Sequence, residues 1–118
     1  MVVDCMHYKY KEITINYSFF DNKSKNNLIF LHGWGQNIEM MMPIAKPFIK
    51  NSNVLIIDLP GFGLSEEPKD VWSIYDYAEM VYKLSKSLKM DNPILIGHSF
   101  GGKISIAFAT KYKTNNIV

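Results

Sequence analysis

The sequence contains no arginine and only one cysteine, and both scarcities narrow the functions it can have. All 13 basic residues among the 118 are lysines, and 11 acidic residues leave a formal net charge of +2. Arginine is the usual bidentate partner of phosphates and base edges, so its absence argues against nucleic-acid recognition. A net charge this small also gives no reason to expect a nucleic-acid or membrane surface.

The single cysteine, Cys5, excludes an internal disulfide and favours a reducing compartment, so we expect a cytoplasmic protein. The first residues lack the basic and apolar regions of a signal peptide. Apolar runs reach only about five residues, far short of a membrane span. Cys5 and His7 form an isolated C-x-H pair with no second pair of ligands, so no metal site is expected.

Three continuous apolar runs predict strands that are buried on both faces, as in a parallel sheet. They are residues 28–31, 54–57 and 94–96. Loose alternation of β-branched and aromatic residues over 8–19 predicts one or two further strands. Residues 116–118 read as the start of another strand.

Helical patterns lie between these runs. Met41, Ile44, Ala45 and Phe48 follow helical spacing, and an apolar stripe runs from Ile74 to Leu88 behind a predicted cap at Ser73. Residues 100–111 are apolar nearly all round, which predicts a buried helix. Alternating strands and helices over one uninterrupted domain, residues 1–118, indicate the α/β class.

The segment from Gly97 to Gly101 has the pattern G-x-S-x-G, with His98, Ser99 and Phe100 between the glycines. In this pattern the serine lies on a sharp strand-to-helix turn that exposes its hydroxyl. Small residues two positions before and after the serine let neighbouring backbone pass without a clash. The free N–H groups at the start of the helix then face a developing oxyanion.

Two other loops follow predicted strands, at the edge of the sheet where open α/β proteins bind ligands. They are H-G-W-G-Q-N at residues 32–37 and D-L-P-G-F-G-L-S at residues 58–65. Together with G-x-S-x-G, in this order and spacing, they resemble the α/β-hydrolase superfamily from about Tyr8 to Val118. The likeness is greatest to its small carboxylesterase branch, which includes the pimeloyl-carrier-protein methyl ester esterases.

The resemblance implies a cofactor-free serine hydrolase that acts on a small-molecule ester or related acyl substrate. Ser99 would be the nucleophile, and the backbone N–H groups of Trp34 and Phe100 would form the oxyanion hole. The remaining motif residues would have structural roles: His32, Gly33, Gly35, Asp58, Gly61, Gly97, His98, Gly101 and Gly102. A serine at this position argues against the dehalogenase and epoxide-hydrolase branches, which use a carboxylate nucleophile.

A nucleotide-binding alternative comes from residues 97–103, which satisfy G-x-x-x-x-G-K between a strand and a helix. Against it, Lys103 is followed by Ile104 and not by the Ser or Thr that would bind magnesium. A second alternative is a non-catalytic, hydrolase-like domain that binds or folds only with a partner.

The chain departs from the family pattern after the nucleophile. The triad order in α/β hydrolases is serine, acid, histidine, but no Asp, Glu or His follows Ser99. We therefore expect a truncated domain that ends near the start of the strand after the nucleophile helix and is inactive by itself. We also expect Ile104, Ala107 or Phe108 to lose their covering partners, and the chain to self-associate.

Overall fold

The computed structural model describes residues 6–114 and 116–118, so Cys5, one of the two members of the C-x-H pair, lies outside the described residues. Within that part, five strands and three α-helices form an α/β architecture. The strands are β1 (Met6–Tyr10), β2 (Ile13–Phe20), β3 (Asn27–Leu31), β4 (Asn53–Ile57) and β5 (Ile94–Gly97). The helices are α1 (Ile38–Ala45), followed by a 3-10 turn (Lys46–Phe48), α2 (Ile74–Ser87) and α3 (Phe100–Tyr112).

The strands form one mixed sheet in the order β1-β2-β4-β3-β5. Strands β1 and β2 form an antiparallel hairpin, and β2 pairs antiparallel with β4. Strand β3 lies between β4 and β5 and is parallel to both. The three parallel strands therefore end at the same edge of the sheet, where the three motif loops begin.

The predicted burial on both faces is confirmed for β3 and β4, whose successive side chains enter two different cores. In β5 only Leu95 is buried, and Ile94 and Ile96 are partly buried. On one face, Ile29, Leu31 and Leu55 pack with α2 and α3. On the other face, Phe30 and Ile56 pack with α1. The sheet is thus covered on both sides, which holds the loops at its carboxyl edge on a rigid base.

Helix α2 begins as predicted. The Ser73 side chain accepts from the Asp76 backbone N–H, and the Asp76 carboxylate accepts from the Ser73 N–H, forming a capping box. The predicted stripe is also on the buried side, with Ala78, Val81 and Leu84 fully buried.

The predictions for α1 and α3 need correction. Helix α1 begins earlier, after the cap Asn37, and ends before Pro47; Ile44 and Phe48 are exposed although their spacing predicts burial. The α-helix gives way to a 3-10 turn at Lys46, so Phe48 no longer follows α-helical spacing, although its ring still lies 6.2 Å from that of Phe30. Helix α3 is buried along one face only, since Ile106 is 59% exposed.

The expectation that Ile104, Ala107 and Phe108 are uncovered is also wrong. All three are buried in the core shared by α2, α3 and the sheet, and the exposed apolar residue of this helix is Ile106. Ile104, Ala107 and Phe108 follow the i, i+3, i+4 spacing of one helical face, whereas Ile106 lies on the opposite side of the helix.

Residues 116–118, which the sequence predicts to begin another strand, lie beside β5 and form a single bridge to it. Leu95 N–H donates to Asn116 O at 2.9 Å, Val118 N–H to Leu95 O at 2.8 Å, and Gly97 N–H to Val118 O at 3.1 Å. The bridge between Leu95 and Ile117 is parallel. Strand β5 therefore has hydrogen-bonded neighbours on both sides, as the sequence predicts.

Candidate active site

Ser99 lies at the tip of the two-residue turn that joins β5 to α3. Its backbone angles are φ 56° and ψ −113°, a region that an L-residue other than glycine rarely adopts. The residue is exposed, and its side chain makes no cap hydrogen bond to the helix. The strained turn thus presents the hydroxyl to solvent above the carboxyl edge of the sheet.

Gly97 and Gly101 make this turn possible. A Cβ on Gly97 would lie 2.5 Å from the carbonyl carbon of Gly101 and 2.6 Å from the Gly102 nitrogen. A Cβ on Gly101 would lie 2.6 Å from the carbonyl carbon of Leu31 and 2.7 Å from His32 O. Real Cβ contacts are never this short, so β3, β5 and α3 approach each other only because both positions lack a side chain.

Gly102 has more room than the two motif glycines. A Cβ there would have its nearest contact at 3.6 Å, to Gly97 O. Its N–H donates to Ser99 O at 2.9 Å, and the Lys103 N–H donates to the same oxygen at 3.1 Å. Gly102 therefore forms the first turn of α3 and is not required by the packing.

His32 orders the loop that follows β3. Its Nε2 accepts from the Leu59 N–H at 2.9 Å, and its Nδ1 lies 2.7 Å from Gly33 O. Because Nε2 accepts, the ring is neutral with its proton on Nδ1, which donates to the carbonyl. Burial lowers the pKa of His32 below its ordinary value of 6.5, outweighing the Gly33 hydrogen bond and the Asp58 charge.

Gln36 joins the loop after β3 to the serine turn. The motifs did not predict this role. Its side-chain oxygen accepts from the Gly33 N–H at 2.9 Å and lies 3.2 Å from Nδ1 of His98. Gly33 is itself pressed against the serine turn, since a Cβ there would lie 2.8 Å from that same Nδ1. The two loops therefore hold each other at a short, fixed separation.

Gly35 gives the loop its turn. The Gln36 N–H donates to Gly33 O at 3.1 Å, and Gly35, at the third position, has φ +75°. A positive φ at this position is what a type II turn requires. A Cβ on Gly35 would meet no atom within 4 Å, so the glycine is needed for its backbone conformation and not for space.

The rings of Trp34 and Phe100 meet edge to face, with centroids 5.4 Å apart. The side chains of the two residues predicted to form the oxyanion hole are therefore in contact beside the turn that carries Ser99. No hydrogen bond joins the backbone N–H of either residue to another residue in the described part of the chain.

Asp58 connects three segments from its buried position after β4. Its carboxylate accepts from the Ile38 N–H at 2.8 Å, from the Asn16 side chain at 2.8 Å and from the Leu64 N–H at 3.0 Å. Ser65 completes the connection: its hydroxyl donates to Asp58 O and accepts from the Asn16 N–H. Through these contacts Asp58 holds the three segments together.

The glycines of this loop fit around Asp58. Gly61 has φ +90° and donates its N–H to Glu66 O at 2.9 Å, closing the loop. Gly63 has φ +54°, and a Cβ there would overlap the Asp58 carboxylate. A structural role was predicted for Gly61 and not for Gly63, although Gly63 is the second glycine of the D-x-x-G-x-G pattern.

None of the three histidines is placed as a base for Ser99. His7 is on β1, at the opposite edge of the sheet from β5. His32 is fully buried with both ring nitrogens engaged, and His98 contacts Gln36. Within the described residues no hydrogen bond joins the Ser99 hydroxyl to a histidine.

The phosphate-binding alternative is wrong on geometry. A P-loop needs a stretch of irregular backbone between strand and helix to surround a phosphate. Here β5 ends at Gly97 and α3 begins at Phe100, so only two residues separate them and Lys103 is already helical.

Metal and membrane sites are likewise not found in the part of the chain that the structure describes. No group of three or more His, Cys, Asp or Glu side chains there could hold a metal ion. None of the described helices combines the length and apolarity needed to cross a membrane.

A pocket of about 510 Å³ opens beside the serine turn. Its walls come from the loop after β3, the loop after β4 and the start of α2, and Ser99 itself is not among them. Aromatic rings connect the two: Phe100, the residue after Ser99, lies 5.4 Å from Trp34 and 5.1 Å from Tyr77, both of which line the pocket.

A mixed sheet whose strand β5 leads into a strained serine turn, with no room for a side chain at Gly97 or Gly101, has the strand–turn–helix geometry that the G-x-S-x-G pattern predicts. A profile of the family described as alpha/beta hydrolase fold matches residues 26–118. The chain belongs to this family.

Two curated relatives and one solved structure illustrate the similarity. Proline iminopeptidase of Saccharolobus solfataricus is 37% identical over 106 residues, covering 86% of this chain and 34% of that protein. Pimeloyl-[acyl-carrier protein] methyl ester esterase of Pseudoalteromonas atlantica is 35% identical over 91 residues, covering 75% and 33%. The structure of Est816, described as an N-acyl homoserine lactone degrading enzyme, has a TM-score of 0.85 at 25% identity, covering 96% and 42%. The chain spans about a third of the length of these curated relatives.

Proposed function

We propose that this chain carries the nucleophile and the oxyanion hole of a serine hydrolase that cleaves a carboxylic ester or related acyl substrate. The observation that carries the proposal is the conformation of Ser99, an exposed residue at φ 56° between β5 and α3. Holding a serine in this backbone conformation costs about 1–3 kcal/mol, and strain of this kind clusters at active sites. Such strain is typical of a group held ready for reaction.

In the proposed reaction the Ser99 hydroxyl attacks the substrate carbonyl, and the backbone N–H groups of Trp34 and Phe100 bind the oxyanion. The leaving group departs and the acyl group stays on Ser99 Oγ until water releases it as the acid. The unoccupied N–H groups on either side of the turn support this assignment. The names of the relatives cover esters and peptides, and both are acyl substrates.

The reaction also needs a base, because a serine hydroxyl is a weak nucleophile at its own pKa. The described residues place no histidine at Ser99, so we propose that the histidine and its carboxylate partner come from residues other than these. A non-catalytic, hydrolase-like binding domain is the second candidate. It is favoured by the lack of a histidine at Ser99 among the described residues.

Labelling with a fluorophosphonate probe separates these candidates. The 118 residues should be tested alone and joined to any coding sequence that continues the reading frame past Val118. We expect labelling and hydrolysis of p-nitrophenyl acetate only in the longer product, with both lost in Ser99→Ala.

Ser87→Ala is the matched control, because Ser87 is an exposed serine on α2 whose hydroxyl donates only to Leu84 O. A longer product that is not labelled, or labelling that survives Ser99→Ala, would contradict the proposed nucleophile. Ser99-dependent labelling of the 118 residues alone would show that a base is already present.

A further inference from the structure

The pocket beside the serine turn combines aromatic walls with negative charge. Four aromatic residues line it, Trp34, Phe62, Trp72 and Tyr77, together with the carboxylates of Glu67 and Asp70. None of the ten residues that line it is basic. Both tryptophans of the sequence are among them.

The aromatic rings are held at fixed angles to one another. Trp34 meets Phe62 edge to face at 4.7 Å, and Trp72 meets Tyr77 in the same way at 5.1 Å. Trp34 nevertheless remains 69% exposed, so a large part of its ring has no protein partner. Indole faces left open in this way attract cations through the negative potential of the ring.

Neither carboxylate forms an ion pair with a lysine within 4 Å among the described residues, although Lys69 is next to Asp70 in the sequence. The ion pairs among the described residues involve Asp76, Glu79 and Asp91, and none involves Glu67 or Asp70. The stem of Glu67 lies against the pocket wall, since its Cγ would be 3.9 Å from a Cβ on Gly61. The loop thus turns this side chain to the pocket.

Trp72 already has one cation near it. The Lys11 ammonium lies 5.9 Å from the ring centroid and is tied to Asp76 at 3.1 Å. Lys11 is not among the residues that line the pocket.

We propose that this pocket binds an organic ammonium group, the positively charged part of the substrate whose carbonyl is presented to Ser99. The aromatic rings would contact the alkyl groups and the charge, and Glu67 and Asp70 would supply the opposite charge. Phe100 contacts both Trp34 and Tyr77, so the pocket begins one residue from the nucleophile. The inference that the bound molecule is a substrate rests on the proposed function, but the binding itself does not.

Binding can be measured without any catalysis, because both tryptophans line the pocket and report on it. The 118-residue chain is titrated with benzylammonium, benzyltrimethylammonium and the neutral benzyl alcohol while tryptophan emission is recorded. We expect saturable changes for both cations and binding at least about fivefold weaker for the alcohol. Added salt should weaken the binding of the cations and not that of the alcohol.

The double variant Glu67→Gln/Asp70→Asn should bind the cations at least about fivefold more weakly, while binding of the alcohol is unchanged. Its matched control is Asp21→Asn/Asp91→Asn, which removes the same charge at exposed positions after β2 and before β5, at the end of the sheet opposite the motif loops. The single variant Asp70→Asn is used if the double variant loses its native circular dichroism spectrum.

Equal affinity for the cations and the alcohol, or an equal loss in both double variants, would overturn the proposal. So would the absence of a saturable signal for every ligand. Binding of only one of the two cations supports the proposal and distinguishes a primary amine from a quaternary ammonium. Failure of Ser99 to label in the longer product would refute the proposed hydrolase while leaving the ammonium site intact.

Discussion

The backbone N–H of Leu59 donates to Nε2 of His32 at 2.9 Å, which links the loop after β4 to the loop after β3. The bond exists only while Nε2 is unprotonated. Since burial lowers the pKa of His32 below 6.5, folding favours the neutral ring. The connection between the two motif loops is therefore sensitive to acid.

We predict that the free energy of unfolding falls as the pH is lowered from 8 to 5. Below its unfolded pKa, near 6.5, the unfolded ring takes up a proton that the folded ring resists. Stability is thus fully present above that pH and is lost as the pH falls towards the lower, folded pKa. Urea unfolding followed by circular dichroism at each pH measures the change.

His32→Gln should flatten this dependence between pH 8 and 5, and His7→Gln, at an exposed position on β1, should leave it unchanged. The lowered pKa of Asp76, due first to the Ser73 N–H, acts at more acid pH because its reference value is 3.8. Equal slopes in the original chain and His32→Gln would assign the dependence to another group.

The strand pattern and the serine turn could be predicted from sequence because both depend on local signals. The runs that became β3, β4 and β5 are apolar on both faces, and G-x-S-x-G specifies its own turn. The capping box at Ser73 and Asp76 is equally local.

The links between loops could not be predicted, because they depend on which segments meet in space. Asn16 reaches Asp58 from β2 across 42 positions of sequence, and Gln36 reaches His98 across 62. The exposure of Ile106 also depends on which face of α3 meets α2. A helical segment that is apolar all round contains no sequence signal that distinguishes its buried face from its exposed face.

Gly101 and Gly102 are adjacent, and the structure predicts opposite effects of the same substitution. Gly101→Ala should destabilise the chain by about 1–3 kcal/mol or prevent folding, because its Cβ would overlap backbone atoms of Leu31 and His32. Gly102→Ala should be neutral or stabilising by up to about 1 kcal/mol, because the helix has room for the methyl group.

Thermal and urea unfolding of the two variants make the comparison. Both replace one glycine with alanine in the first turn of α3, so the difference between them isolates the close approach of α3 to β3. Similar destabilisation of both would show that the contact at Leu31 is not as close as the structure indicates.

Exposed apolar side chains occur on α3, at Ile106, and beside β5, at Ile117 and Val118. Ile106 is 59% exposed, and Ile117 and Val118 are 39% and 78% exposed. We predict that the 118-residue chain self-associates through this surface. In light scattering with size-exclusion chromatography, Ile106→Lys should increase the monomer fraction at equal concentration.

Ile44→Lys is the control for this surface. Ile44 is 49% exposed on α1, which covers the opposite face of the sheet. A chain that is monomeric before any substitution would contradict the prediction, and an equal response to both substitutions would place the association elsewhere.

The strain at Ser99 leads to the last prediction. The angles φ 56° and ψ −113° are the mirror image of ordinary extended backbone, which glycine adopts without a steric cost. Ser99→Gly should therefore raise the free energy of unfolding by about 1–2 kcal/mol relative to Ser99→Ala, although both remove the hydroxyl. Urea unfolding of the two variants measures the difference directly. If Ser99→Gly were no more stable than Ser99→Ala, the turn would not be strained, and the main support for Ser99 as a prepared nucleophile would be lost.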